Sequence, residues 1–258
     1  MTVDLSGKIA LVTGAGRNIG RAIAETLAAN GATVVFTDLK LADVEAAAQG
    51  VPRAAAMALD VSDEAAAARV VADTIARFGR IDIVVNNAGI NTATRVPVDQ
   101  FPRSEWDRIL AIDLSGLFFV SRAAAGAMRR QKSGRIINIT SVAGLVPLRL
   151  QCAFTAAKAG VVQLTKAMAI ELGGDGILVN AIAPGSILTD GTKQLFYGDP
   201  AAAEKASRML SHVPLGRPGA CADIANAALF LAAPESGYVT GHVLTVDGGW
   251  TAGYTRDF

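Results

Sequence analysis

The chain has 258 residues, 51% hydrophobic and 18% charged, enough apolar material for one large core, and α/β folds of this size are commonly one domain. A net charge of +1, a pI near 7.8 and the lack of any basic tract leave nothing to attract nucleic acid or an anionic membrane, so small-molecule chemistry is expected. Cys152 and Cys221 stand in no metal or redox spacing and His212 and His242 cannot complete a familiar zinc site, so reduced thiols and no metal are expected.

The opening MTVDLSGK lacks the charged-then-apolar order of a secretory signal, and apolar stretches such as NAALFLAA are too short to span a bilayer, so a cytoplasmic location is expected. Beyond it, short β-rich apolar runs alternate with longer Ala-rich stretches of helical period. Strands are predicted at 8–14, 33–39, 53–61, 81–89, 134–141, 177–185 and 242–249, and helices at 18–30, 41–49, 62–78, 103–131, 152–172 and 221–233. That alternation predicts an α/β fold, a doubly wound, Rossmann-like parallel sheet of seven strands flanked by helices, in a single domain over 1–258. Ser62, followed by Asp63 and Glu64, supplies a capping oxygen and negative charge for the third helix. The stretch 186–220 reads as one long irregular excursion from the carboxyl end of the sixth strand, the place for a substrate lid.

The first strand runs into VTGAGRNIGRAIA, a glycine-rich turn opening a helix, where the backbone can approach a pyrophosphate at the helix N-terminus. TGAGRNIG at 13–20, NNAG at 86–89, SVAG and FTAAK within 141–158, and NAIAPG at 180–185 followed by Thr189 together resemble the classical short-chain dehydrogenase/reductases, and the resemblance spans essentially the whole chain. It implies a nicotinamide cofactor held by Gly14, Gly16, Arg17, Asn18, Ile19 and Gly20. Asn18 replaces the family's middle glycine and is the ordinary residue that best tolerates a left-handed backbone. Asp38 lies 18 residues beyond Gly20, where a carboxylate can accept hydrogen bonds from the adenosine ribose and repel a 2′-phosphate. NAD is therefore expected over NADP, although Arg17 and Lys40 stand nearby. The resemblance places Asp60 and Val61 at the adenine, Asn87, Ala88 and Gly89 at the adenosine ribose, and Pro184, Gly185, Ile187 and Thr189 on the nicotinamide side. Asn86 reads better as a sheet stabiliser.

By the same resemblance the chemistry needs Ser, Tyr and Lys, with an Asn completing a proton relay. Ser141 and Lys158 match. Phe154 stands four residues before the lysine and 13 after the serine, where Tyr belongs, and Asp113 stands at the Asn position. Phe keeps the ring of Tyr and loses the hydroxyl that exchanges the alcohol proton, while Asp can still accept a hydrogen bond. The first reading is an NAD-dependent oxidoreductase for a secondary alcohol and its carbonyl, inactivated by a Tyr-to-Phe replacement. The alternative is a natural NAD-binding pseudoenzyme, a sensor or scaffold; a third is a proton supplied by Tyr197 or Tyr254.

The substrate pocket is expected from 91–96, 143–151 and 186–213, with Asn91, Ser141, Arg149, Gln151 and Phe154 as contacts. This mixture suits a sugar or polyol better than a long acyl chain, and Arg149 could clamp a carboxylate. A homotetramer packed through the helices at 103–131 and 152–172 is what the resemblance implies.

Overall fold

The computed structural model describes residues 3–197, 204, 206–208 and 210–253. Seven strands, β1 (Ile9–Thr13), β2 (Thr33–Asp38), β3 (Ala54–Ala58), β4 (Ile83–Asn86), β5 (Gly134–Ile139), β6 (Ile177–Pro184) and β7 (Val243–Val246), form one sheet in the order β3-β2-β1-β4-β5-β6-β7. Every neighbouring pair is parallel. The chain builds outward from β1 to β3, then crosses back to β4 and builds the other way. The strand order thus reverses between β1 and β4, and ligands of such sheets sit outside the carboxyl ends at that point.

The central strands IALVT and IVVN are buried at every position because helices cover both faces. Alternation within β1 sends Ala10 and Val12 to one core and Leu11 to the other. The first core receives Ile23 and Leu27 of α1 (Asn18–Ala29), Val44 of α2 (Leu41–Ala48) and Leu231 of the helix Cys221–Ala232. The second receives Val70 of α3 (Glu64–Phe78), Val120 and Met128 of the helix Leu117–Gln131, and Val161 of the helix Cys152–Leu172.

The predicted helix 103–131 forms in three parts: α4 (Arg103–Leu110), a π-helical segment Ala111–Gly116, and α5 (Leu117–Gln131). Such segments insert an extra residue per turn and recur at functional sites; here the segment carries Asp113 into the interior, 1% exposed. Contrary to the expectation from the short apolar stretches, the continuous helix Arg103–Gln131 contains an 18-residue window of mean hydropathy 1.5, long and apolar enough to cross a membrane by length and composition alone. Its packing accounts for that composition, since Leu117, Val120, Ala124 and Met128 are buried in the second core.

Two further expectations are corrected. The cap of α3 is Asp63, whose carboxylate accepts from the amides of Ala65 and Ala66, while Ser62 turns back to donate to Asp60 at 2.6 Å. A carboxylate one residue later simply reaches the free amides better. The stretch 186–220 is not irregular throughout: α7 (Asp190–Tyr197) forms within it, following α6 (Cys152–Leu172), and α8 (Cys221–Ala232) comes after it. The Thr189 amide donates to Thr192 Oγ1 at 2.7 Å, and Thr192 Oγ1 donates to the Ile187 carbonyl at 2.7 Å, closing the start of α7 with side chains. Residues 198–203, 205 and 209, and Tyr254, lie outside the described residues, and the side chain of Tyr197 is likewise not described.

Candidate active site

The turn between β1 and α1 is held in shape by the end of β4. Thr13 Oγ1 accepts from the amides of Asn87 and Ala88, both at 3.0 Å, and the Asn87 side chain donates to the carbonyls of Thr13 and Gly14 at 2.9 and 3.0 Å. Asn87, read from the sequence as a ribose neighbour, therefore spends its amide on shaping the turn. Asn18 adopts φ +50°, the left-handed value anticipated for a glycine replacement, and its Oδ1 accepts from the Asp190 amide at 3.2 Å, touching the start of α7. Helix α1 opens at Asn18, after Arg17 as N-cap, with no side-chain cap and no acidic residue in the first turn, where Ile19 also lies, leaving its N-terminal amides for an anion.

Asp38 ends β2 with both carboxylate oxygens fastened. Oδ2 accepts from the Gly16 amide at 3.1 Å and Oδ1 from the Leu39 amide at 2.8 Å. The carboxylate is thus fixed against the turn, and a Cβ at Gly16 would come within 3.0 Å of it. Arg17 and Lys40 are exposed. Asp60 is exposed with Oδ1 taken by Ser62, and the Val61 side chain is buried in the second core, so only its backbone remains for a ligand. Asn86, as expected, stabilises the sheet by donating to Ser121 Oγ and Asn138 Oδ1 at 2.8 and 2.9 Å. An open N-terminal turn, close glycines and a fixed carboxylate at the reversal point fit a dinucleotide.

The residues expected to be catalytic lie at the ends of β4 and β5. Helix α6 is tied to β5 twice: Thr140 Oγ1 donates to the Lys158 carbonyl at 2.8 Å, and Lys158 Nζ donates to the Ile139 carbonyl at 3.2 Å. Lys158 Nζ also lies 3.1 Å from Asp113 Oδ2, with side-chain exposures of 7% and 0%, and 5.6 Å from the Phe154 ring centroid. Asp113 Oδ1 accepts from the Ile90 amide at 2.8 Å, fixing the carboxylate to the strand end beside Gly89. Ser141 Oγ accepts from the Ala143 amide at 3.1 Å. Phe154 is half-buried one helical turn before Lys158, on the same face.

The loop after β4 hangs on Glu105 of α4, which accepts from the Ala93 and Thr94 amides at 2.7 and 3.1 Å. Hydrogen bonds from Thr94 and Ala93 hold its carboxyl below the ordinary glutamate range. A lowered folded-state pKa means the clamp is complete above the unfolded value and is lost as pH falls through the folded one. Amide exchange at Ala93 and Thr94, corrected for intrinsic rates, should rise below the ordinary glutamate range, and in Glu105→Gln it should be raised at neutral pH.

Of the expected substrate contacts, Asn91 is exposed with Oδ1 bonded to the Thr92 amide, Arg149 is exposed, and Gln151 is buried just after Leu150, whose φ is +61°. Pro184 ends β6, Gly185 donates to the Val246 carbonyl, and Ile187 is buried beside Gly219. An apolar hollow lined by Val96, Val98, Leu148, Cys152, Thr155 and Ala159 opens on the other side of α6 from Phe154 and Lys158. Sequence reading missed Thr13, Thr140 and Glu105; the two threonines follow apolar strand runs, and nothing in the spacing marks Glu105.

A glycine-rich turn at the sheet's reversal point, with a serine and a buried lysine converging beside it, defines a dinucleotide-dependent oxidoreductase. The sequence profile of the family described as enoyl-(acyl carrier protein) reductase matches residues 14–251. The chain is 42% identical over 252 residues to the 3-oxoacyl-[acyl-carrier-protein] reductase FabG of Escherichia coli (strain K12), covering 96% of this chain and 98% of that one. It is 40% identical over 252 residues to sorbitol dehydrogenase of Cereibacter sphaeroides, covering 95% and 98%. The crystal structure of levodione reductase superposes with a TM-score of 0.91 at 36% identity, covering 96% and 99%. The chain belongs to the short-chain dehydrogenase/reductase family.

Proposed function

We propose that the chain is an NAD-dependent oxidoreductase interconverting a polar secondary alcohol, of sugar or polyol type, and its carbonyl, in a form slowed at proton transfer by Phe154. The observation that carries this is the convergence of Ser141 and Lys158 beside the turn fastened by Asp38, with one hydroxyl missing at position 154. A bound nicotinamide supplies or accepts the hydride. The chain's own residues would do the rest: the α1 amides would take the pyrophosphate, Asp38 would accept from the adenosine ribose, Lys158 would donate to the nicotinamide ribose, and Ser141 would hold the substrate oxygen. Helix α7 (Asp190–Tyr197), after β6, would contribute to a lid that excludes water.

The names of the relatives divide between an acyl thioester and a polyol. Exposed Asn91 and Arg149 and buried Gln151 support the polar alcohol. The alternative, an NAD-binding sensor or scaffold, is favoured by Phe154 alone.

Calorimetry should show NAD bound more tightly than NADP. Asp38→Ala should weaken NAD roughly tenfold or more, since hydrogen bonds to a charged group contribute about 1.5–3 kcal/mol. Equal affinities in the parent chain would overturn the cofactor assignment. Assembly as a homotetramer is tested by light scattering, and a clean monomer removes it.

A further inference from the structure

We propose that Asn18 is a latch between the dinucleotide turn and the lid helix, a positioning residue whose bond to the start of α7 slows release of a bound dinucleotide. This rests on the dinucleotide reading of the site above. Among the described residues, the bond from the Asp190 amide to Asn18 Oδ1, at 3.2 Å, is the one hydrogen bond that joins the turn at 14–20 to the segment 186–197.

The two sides of that bond belong to different parts of the sheet. The turn follows β1 and the segment follows β6, and the sheet order puts β4 and β5 between them. The bond therefore joins chain that leaves the sheet on either side of the carboxyl ends where ligands of such folds sit. Each side is anchored independently. The turn is held to the end of β4 through the Asn87 side chain. The stem of the segment is fastened ahead of α8, where the Leu188 amide donates to the Gly219 carbonyl and the Gly219 amide to the Ser186 carbonyl, both at 2.8 Å.

Helix α7 depends on such a bond. DGTKQLFY is eight residues with Gly191 inside it, and a helix this short is marginal without help at its ends. Thr189 Oγ1 accepts from the Thr192 amide at 3.3 Å, and the Asp190 amide, which has no partner within the helix, is taken by Asn18. The helix thus borrows one of its caps from the turn that faces the pyrophosphate. Glycine, the residue the family resemblance places at position 18, has no acceptor to lend. Asn supplies one and still adopts φ +50°.

The coupling runs both ways, as any equilibrium coupling between two sites must. A ligand that orders the turn presents Asn18 Oδ1 to α7, and a capped α7 in turn holds Asn18 and the turn in place. Release of the dinucleotide then includes breaking this bond, whereas encounter does not. The latch acts on the dissociation rate.

The test breaks the bond from each side. Asn18→Gly removes the acceptor and leaves the left-handed backbone unstrained, while Asp190→Pro removes the donor at the first helical position, where proline is tolerated. In the cofactor-free protein, hydrogen exchange at the Asp190 amide, read by NMR, should quicken about two- to tenfold in Asn18→Gly, the range of one net hydrogen bond. In the loaded protein, NADH release, followed by stopped-flow fluorescence with excess ADP-ribose as the chase, should quicken by about the same factor in each variant. The double variant should release no faster than either, and association rates should stay as in the parent. A merely structural role would lower the melting temperature and leave the two effects on release additive. Unchanged Asp190 exchange, unchanged release in a folded variant, or additive effects in the double variant would overturn the proposal. Failure of the parent to bind NADH would instead sink the dinucleotide reading and the release step with it, while exchange at Asp190 would separately decide whether the bond forms.

Discussion

The double variant Phe154→Tyr/Asp113→Asn should turn over alcohol or carbonyl about 10²–10⁴-fold faster than the parent chain, the range that general acid/base catalysis contributes. Phe154→Tyr alone should gain much less. In the parent, Lys158 lies 3.1 Å from the Asp113 carboxylate, and a tyrosine added beside that pair meets a lysine whose charge is already neutralised. Its phenol then has no unpaired ammonium beside it to favour the ionised form that takes an alcohol proton. Replacing the carboxylate by an amide frees the ammonium to depress the phenol. Asp113→Asn alone supplies no hydroxyl at position 154 and should gain nothing, so the two substitutions are strongly coupled. The measurement is a double-mutant cycle in kcat with NADH and 2,3-butanedione or fructose, or with NAD and sorbitol in reverse. Additive effects would show that Asp113 and residue 154 act independently, and a full gain from Phe154→Tyr alone would reduce Asp113 to a spectator.

The sheet was legible because parallel strands buried on both faces are written as continuous apolar runs, and IALVT and IVVN could be little else. Helix α7 was not, since DGTKQLFY carries Gly191 and too few apolar residues to show a period; it is fixed by Thr189 and Thr192 closing its first turn. The π-helical segment was equally hidden, because whether a helix inserts a residue is decided by what its side chains meet. The site divides in the same way. Ser141, Phe154 and Lys158 were readable because the family resemblance matches them within one strand–helix unit. The approach of Asp113 to Lys158 joins residues 45 apart in sequence, and that of Asn18 to Asp190 joins residues 172 apart. Both depend on tertiary packing that no local pattern encodes.

Gly20→Ala should cost the chain most of its dinucleotide affinity. In the third position of α1, a Cβ would run into the Gly14 carbonyl oxygen and the Asn87 side-chain amide, two groups that cannot yield separately. Asn87 donates to that same carbonyl at 3.0 Å and to the Thr13 carbonyl at 2.9 Å, so pushing one aside breaks the bonds that shape the turn. Forcing an extra carbon into a packed site costs about 1–3 kcal/mol, and here the displaced atoms are the backbone that faces the phosphates. Since every 1.4 kcal/mol is tenfold, the Kd for NAD should rise about tenfold or more while the melting temperature falls by a few degrees. Gly50→Ala is the control: that glycine has open space around it but φ +77°, so its substitution strains only a surface turn and should lower stability without touching NAD binding. If Gly20→Ala instead melts earlier yet binds NAD as the parent does, the turn is a structural loop and the dinucleotide, where it binds at all, is held elsewhere.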